Sequence, residues 1–200
     1  MKKSRHVILL TGVQESGKST LAKKIIAHIS KEYERTVIFD LQDEYDWNVL
    51  VTSAKELRDI IIEEKEQNIG VQITDFEEAE RIFGVIWDSP DTLLVIDEAE
   101  VFIEKLTNAR TSYFHKILSF GRHEHIGLLA IGRRPVELNV YLRAARTTLI
   151  TFRLNETQDI DRMEKNGFNR TELERLSKEK HDFILIGDEV LPQQKKGQKQ

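Results

Sequence analysis

The run Gly12-Val13-Gln14-Glu15-Ser16-Gly17-Lys18-Ser19-Thr20 holds the residue types that can close around a chain of phosphates. It matches the spacing G-x-x-x-x-G-K-[ST], in which glycines let the backbone curl until successive N–H groups point inward at phosphate oxygens. Gly17 permits a close approach that a side chain would block. A helix opening at Lys18 adds the positive end of its dipole to the same anion site. Lys18 is then expected to reach the β- and γ-phosphates, and the Ser19 hydroxyl to complete the shell of a Mg2+ ion. The expected ligands are ATP and Mg2+.

A second constellation lies far along the chain. Thr92-Leu93-Leu94-Val95-Ile96 is a continuous apolar run that ends in Asp97-Glu98. An apolar run of that length suits a strand buried on both faces, and the carboxyl end of such a strand is where open α/β sheets place ligands. Asp97 is expected to hold Mg2+ through water, and Glu98 to polarise the attacking water as a general base. The alternative for Asp97-Glu98-Ala99-Glu100 is a helix cap. His123-Glu124-His125 offers two imidazoles without a third ligand, which is thin support for zinc.

The elements that must position these residues follow from the pattern around them. Strand-length apolar runs are expected at His6–Leu10, Thr36–Phe39, Gly70–Ile73, Thr92–Ile96, Gly127–Ile131, Thr147–Phe152 and Phe183–Ile186. Amphipathic helices are expected at Lys18–Lys31, Ala54–Lys65, Phe76–Trp87 with Asp75 as cap, one or two within Ala99–Gly121, then Glu156–Lys165 and Arg170–Lys178 with Asn169 as cap. The alternation predicts an α/β fold in three layers with a mostly parallel central sheet. The Asp-Glu pair, with two strand-like segments between the phosphate loop and the acidic strand, points to the additional-strand catalytic-glutamate (RecA-like) class of P-loop NTPases.

With 40% hydrophobic and 32% charged residues in 200, the chain reads as one globular domain over 1–190 with a basic, disordered tail at 191–200. Without cysteine it has neither disulfides nor thiolate metal sites, which suits a reducing cytoplasm, or a host's cytoplasm for a viral protein. The basic start followed by Val7-Ile8-Leu9-Leu10 is too short an apolar run for a secretory signal, and no run approaches a membrane span. A net charge of −4 gives no global attraction to nucleic acid, so any such contact must be local.

The chain resembles the FtsK–HerA group of hexameric DNA-pumping ATPases, in particular small viral members that package genomes. The likeness is carried by Gly12–Thr20, by Val37-Ile38-Phe39-Asp40-Leu41-Gln42-Asp43-Glu44-Tyr45, by Leu94–Glu98, and by Gly121-Arg122-His123 through Arg133-Arg134-Pro135. Leu149–Leu154 is similar to the family's strand after the sensor. The resemblance implies a ring of identical subunits, double-stranded DNA as a partner, a possible viral or cellular protein partner, and no membrane insertion. It implies an arginine finger reaching the neighbour's nucleotide, matched to Arg122 with Arg146 and Arg143 as rivals. Arg133 stands where the family has a γ-phosphate-sensing glutamine, which alters the sensing chemistry. Lys105, Arg110 and Lys116 are candidates for a pore surface that meets DNA.

The leading expectation is therefore Mg-dependent ATP hydrolysis driving DNA translocation. A partner-activated regulator with weak ATPase activity is kept alive by Arg133. A small-molecule phosphotransferase would need an arginine-rich lid, and a GTP switch would need an Asn-Lys-x-Asp segment after the fifth strand; the sequence offers neither.

Overall fold

The computed structural model describes residues 5–63, 67–106, 112–138 and 140–191, the side chains of 103–106 and 140 excepted. Five-residue apolar strands β1 (Val7–Thr11), β2 (Arg35–Phe39) and β5 (Thr92–Ile96) form the middle of an eight-stranded sheet with β3 (Val49–Val51), β4 (Asn68–Val71), β6 (Gly127–Gly132), β7 (Thr148–Thr151) and β8 (Ile184–Gly187). The spatial order is β3-β4-β2-β5-β6-β1-β7-β8. Every pairing is parallel except β7 with the edge strand β8.

Alternation along each strand divides the core between the two faces of the sheet. Ile8 and Leu10 of β1 pack with Leu21, Ala22, Ile25 and Ile29 of helix α1 (Lys18–Ile29). Val7 and Leu9 face the opposite layer. That layer is built from α2 (Ala54–Ile62), α3 (Phe76–Trp87), α4 (Ala99–Leu106), α5 (Tyr113–Phe120), α6 (Val140–Ala145), α7 (Thr157–Glu164) and α8 (Arg170–Arg175). Its centre is aromatic, with Phe39 stacked on Phe83 at 5.2 Å and Phe83 against Phe114 at 5.1 Å.

The expected caps are in place. The Asp75 carboxylate accepts from the Glu78 N–H at 2.8 Å and the Asn169 side chain from the Glu172 N–H at 3.2 Å, each meeting a donor the first helical turn leaves open. Some boundaries differ from the expectation. β4 lies two residues earlier than Gly70–Ile73, because parallel pairing aligns Thr36 with Asn68 and Phe39 with Val71. Helix α2 ends at Ile62, and α8 ends at Arg175 because Leu176 turns extended. The segments β3 and α6 are too short to carry a periodic pattern.

The extra strand of the additional-strand class is present between β1 and β5. The two strand-like segments between phosphate loop and acidic strand in sequence, β2 and β4, lie beyond β5; the strand inserted between β1 and β5 is β6, which comes later in the chain. No helix among the described residues is long and apolar enough to cross a membrane. The basic tail and Arg110 lie outside the described residues, as does the side chain of Lys105.

Candidate active site

The loop from Gly12 to Ser19 joins β1 to α1 and curls because two of its residues tolerate backbone angles that others resist. Gly12 has φ +147° and a Cβ there would sit 2.6 Å from Phe152, so only glycine fits. Gly17, at φ +99°, precedes α1, whose first turn holds no acidic residue and receives no side-chain cap. Its N–H groups are thus open to an anion. The Lys18 ammonium donates to the Gly12 and Val13 carbonyls, both at 2.8 Å, so the cation is folded across the mouth of the loop. Burial lowers the Lys18 pKa, opposed by the nearby charges of Asp97 and Glu100.

Asp97 leaves the end of β5. Its Oδ1 accepts from the Glu98 N–H at 2.8 Å and its Oδ2 from the Tyr45 hydroxyl at 2.8 Å. Burial raises the Asp97 pKa and, more strongly, that of Tyr45. One phenol therefore ties the segment after β2 to the aspartate at the end of β5. Tyr45 is fixed by Asp40, 2% exposed, whose two carboxylate oxygens accept from the Glu44 and Tyr45 N–H groups at 2.9 Å. Asp40 thus plays a turn role, while Glu44 lines the cleft. The Asp40–Tyr45 segment was legible in the sequence as a likeness; the contact of Tyr45 with Asp97 was not, because nothing local distinguishes it from a core tyrosine.

Glu98, in a left-handed conformation at φ +50°, reaches into the same cavity. Its Oε1 accepts from Gln42 Nε2 at 2.8 Å and is paired with the Arg133 guanidinium. Arg133 follows β6 directly, its N–H donates to Glu100 at 3.3 Å, and the hydrogen bond to Glu98 raises its pKa. Burial raises the Glu100 pKa, and Glu100 Oε2 is buried without a partner.

The cavity, about 360 Å³, is lined by Gln14, Glu15, Gly17, Lys18, Ser19 and Thr20 of the loop together with residues from the ends of β2, β5 and β6. Five carboxylates, those of Glu15, Glu44, Asp97, Glu98 and Glu100, outnumber its two cations, Lys18 and Arg133. A divalent cation would offset this excess of negative charge beside a polyphosphate, and the oxygen donors of Ser19 and Asp97 are those a hard ion prefers. Ser16 is buried with its hydroxyl unpartnered, and the Val13 N–H is bound to Arg153 O at 3.0 Å. His181 also lines the cavity, brought there from a polar segment before β8 that carries no recognisable motif.

The arginines proposed as fingers part company. Arg143 donates to the Pro135 and Leu138 carbonyls and Arg146 to the Arg143 carbonyl, so both brace their own backbone. Arg122 is exposed and has no ion pair or hydrogen bond among the described residues. It precedes β6, roughly 20 Å from the cleft at the strand's far end, so it does not reach its own subunit's cavity. His125 Nδ1 sits 2.6 Å from Asp91 and its ring stacks on Tyr33 at 4.7 Å; among the described residues no three His, Asp or Glu side chains group as a metal site. Lys116 lies over the Tyr113 ring at 4.5 Å.

The family described as helicase HerA, central domain, matches residues 4–196. The genome packaging NTPase B204 from Sulfolobus turreted icosahedral virus 2, in complex with AMPPCP, superposes with a TM-score of 0.75 at 18% identity, covering 92% of each chain. The same protein in complex with sulfate gives 0.77 at 18% identity, over 95% of this chain and 94% of that one. The N-terminal domain of zonular occludens toxin from Neisseria meningitidis gives 0.53 at 18% identity, over 78% and 80%. Curated protein sequences contain no match to the chain.

Proposed function

This chain belongs to the helicase HerA central-domain family of P-loop ATPases, and from that premise we propose that it works as a ring of identical subunits that couples Mg-dependent ATP hydrolysis to movement of double-stranded DNA, as in packaging a genome. The observation that carries the reading is the gathering of Lys18, Ser19, Asp97 and Glu98 on one cavity, with the Tyr45 hydroxyl donating to Asp97. The likeness to a genome packaging NTPase supports the choice of DNA as the moved polymer.

The residues fit a simple sequence of events. Phosphate oxygens take the open N–H groups of the loop and draw Lys18 off the Gly12 and Val13 carbonyls. Ser19 and Asp97 would hold Mg2+, which would supply positive charge against the negative charge of the phosphates. Glu98 accepts the proton of the attacking water, and it does so only after Arg133 lets go of Oε1. The γ-phosphate offers Arg133 a stronger anion, so its arrival both completes the site and releases the base. Arg122 from a neighbouring subunit stabilises the charge that develops on the transferred phosphoryl.

A second reading is favoured by that same Glu98–Arg133 pair: an ATPase held nearly silent until a partner breaks the pair. Steady-state hydrolysis by the purified protein, with and without long double-stranded DNA and beside Lys18→Ala and Glu98→Gln, separates the two. The motor reading expects strong stimulation by DNA and its loss in both variants. Hydrolysis that depends on Lys18 and Glu98 yet ignores DNA overturns the motor and leaves the partner-activated enzyme.

A further inference from the structure

A phosphate loop grips a triphosphate whatever it is attached to, so selection of a nucleoside needs a separate surface. The sheet order gives that surface a location. The loop follows β1, which lies between β6 and β7. On the β6 side stand Asp97, Glu98 and Arg133, the groups that suit the γ-phosphate end. The nucleoside, at the other end of the triphosphate, must lie toward β7 and β8.

What stands on that side is the segment running from α8 into β8. Its start is held by Arg153, which donates to the Leu176 carbonyl at 3.2 Å, and its end by Phe183, whose ring lies 5.4 Å from that of Phe152 beside Gly12. Within it the Asp182 N–H donates to Ser177 O at 3.2 Å and the His181 N–H to Lys178 O at 3.1 Å. The Lys178 ammonium donates to the Glu15 carboxylate at 3.0 Å, tying the segment to the loop itself. His181 is held at φ +53°, sparsely populated for a residue with a side chain. Its Cβ, Cγ and Nδ1 all lie 3.2 Å from where a Cβ on Gly17 would be, so the imidazole lies close against that glycine. Among the described residues lining the cavity, His181 carries the sole aromatic ring. The ring is exposed and has no partner among the described residues.

We propose that His181 is the base-recognition residue of this site, its imidazole forming the face on which the purine of a nucleoside triphosphate stacks. The inference rests on the ATP-site reading above and adds the nucleoside end to it. Stacking favours purines over pyrimidines, because the larger bicyclic ring overlaps the imidazole more fully, and it is blind to the phosphates. A neutral aromatic ring in place of the imidazole serves the same purpose.

The test is calorimetric titration of the full chain, in Mg2+, with ATP, CTP and inorganic tripolyphosphate, for the unaltered protein and for His181→Ala, His181→Phe and His181→Gln. The expected result is about tenfold weaker ATP binding in His181→Ala, a smaller ATP-over-CTP preference, unchanged tripolyphosphate binding, recovery in His181→Phe and no recovery in His181→Gln. Equal weakening of ATP and tripolyphosphate overturns the proposal and makes His181 a phosphate contact. Recovery in His181→Gln but not His181→Phe overturns stacking in favour of a hydrogen bond. Unchanged ATP binding in His181→Ala overturns any role in the base site while leaving the ATP reading intact, whereas no ATP binding by the unaltered protein overturns both. An unchanged melting temperature in His181→Ala accompanies the expected result, since the exposed ring supports no core.

Discussion

Asp97 is held where burial works against its own charge. Its carboxyl pKa is raised from the ordinary aspartate value chiefly by desolvation, with the Tyr45 hydroxyl opposing the shift only in part. The folded protein therefore holds that proton more tightly than the unfolded chain does. Across the window from the ordinary aspartate pKa up to the raised one, stability falls as pH increases. Asp97→Asn removes the charge and keeps an acceptor for the Glu98 N–H. It should raise the melting temperature of the nucleotide-free protein at neutral pH by about 2–4 °C, the shift about 1 kcal/mol brings in a domain of this size, and should abolish Mg-dependent nucleotide binding. Scanning calorimetry beside nucleotide titration checks both, and an Asn variant no more stable than the parent would remove the argument. Arg133 supplies a second prediction. Replacing it by the glutamine of related chains frees Glu98 from a half-exposed ion pair worth up to ~1 kcal/mol, so basal ATP turnover of Arg133→Gln should rise about fivefold. A fall in turnover instead would mean that what Arg133 contributes at the γ-phosphate outweighs its hold on the base.

At the scale of elements, the ends of β1, β2, β5 and β6 converge on the cleft because all four strands run the same way. Their carboxyl ends deliver Gly12, Asp40, Asp97 and Arg133 to one edge of the sheet. What keeps the strands in register is the layer of α2 to α8 behind them, centred on Phe39, Phe83 and Phe114. Phe83 is fully buried between the other two rings. Phe83→Ala should cost about 3–5 kcal/mol of stability in urea denaturation. The phosphate loop rests on the other face, against α1, so nucleotide affinity in the folded fraction should remain. A loss of affinity larger than the unfolded fraction accounts for would reveal coupling between the two layers.

At the scale of the whole molecule, the finger role proposed for Arg122 requires a second copy of the chain. It lies at the edge where strands begin, while the cleft opens where they end, and neither Arg143 nor Arg146 is free to take its place. Phe120, just before it, is 55% exposed, so an apolar ring shares one patch of surface with a cation that has no ion pair among the described residues. If Arg122 is the finger, Arg122→Ala should lower kcat by about 10³-fold or more while ATP affinity holds. Mixing Arg122→Ala with Lys18→Ala subunits should then restore partial turnover, since an intact loop meets an intact arginine where the two kinds adjoin. Mixtures as inactive as either parent would place the finger elsewhere.

The sequence by itself determined the parts whose chemistry is local. A phosphate loop is written in consecutive residues, because its donors are backbone N–H groups shaped by Gly12 and Gly17. Likewise the acidic pair is written in an apolar run followed by Asp97-Glu98, and the caps Asp75 and Asn169 by polar residues at helix starts. The helix Phe76–Trp87 and the strand Thr92–Ile96 are long and regular enough for periodicity to fix their limits. Tertiary structure alone decided what depends on which strands become neighbours. Parallel pairing sets the register of β4 and puts β6 between β1 and β5, and no residue along the chain encodes that order singly. Strand pairing likewise brings Tyr45 onto Asp97 and Arg133 onto Glu98, and the antiparallel edge strand β8 brings His181 against Gly17. Those contacts join segments far apart in sequence, and each is made by a side chain whose own neighbours along the chain give it no reason to be there.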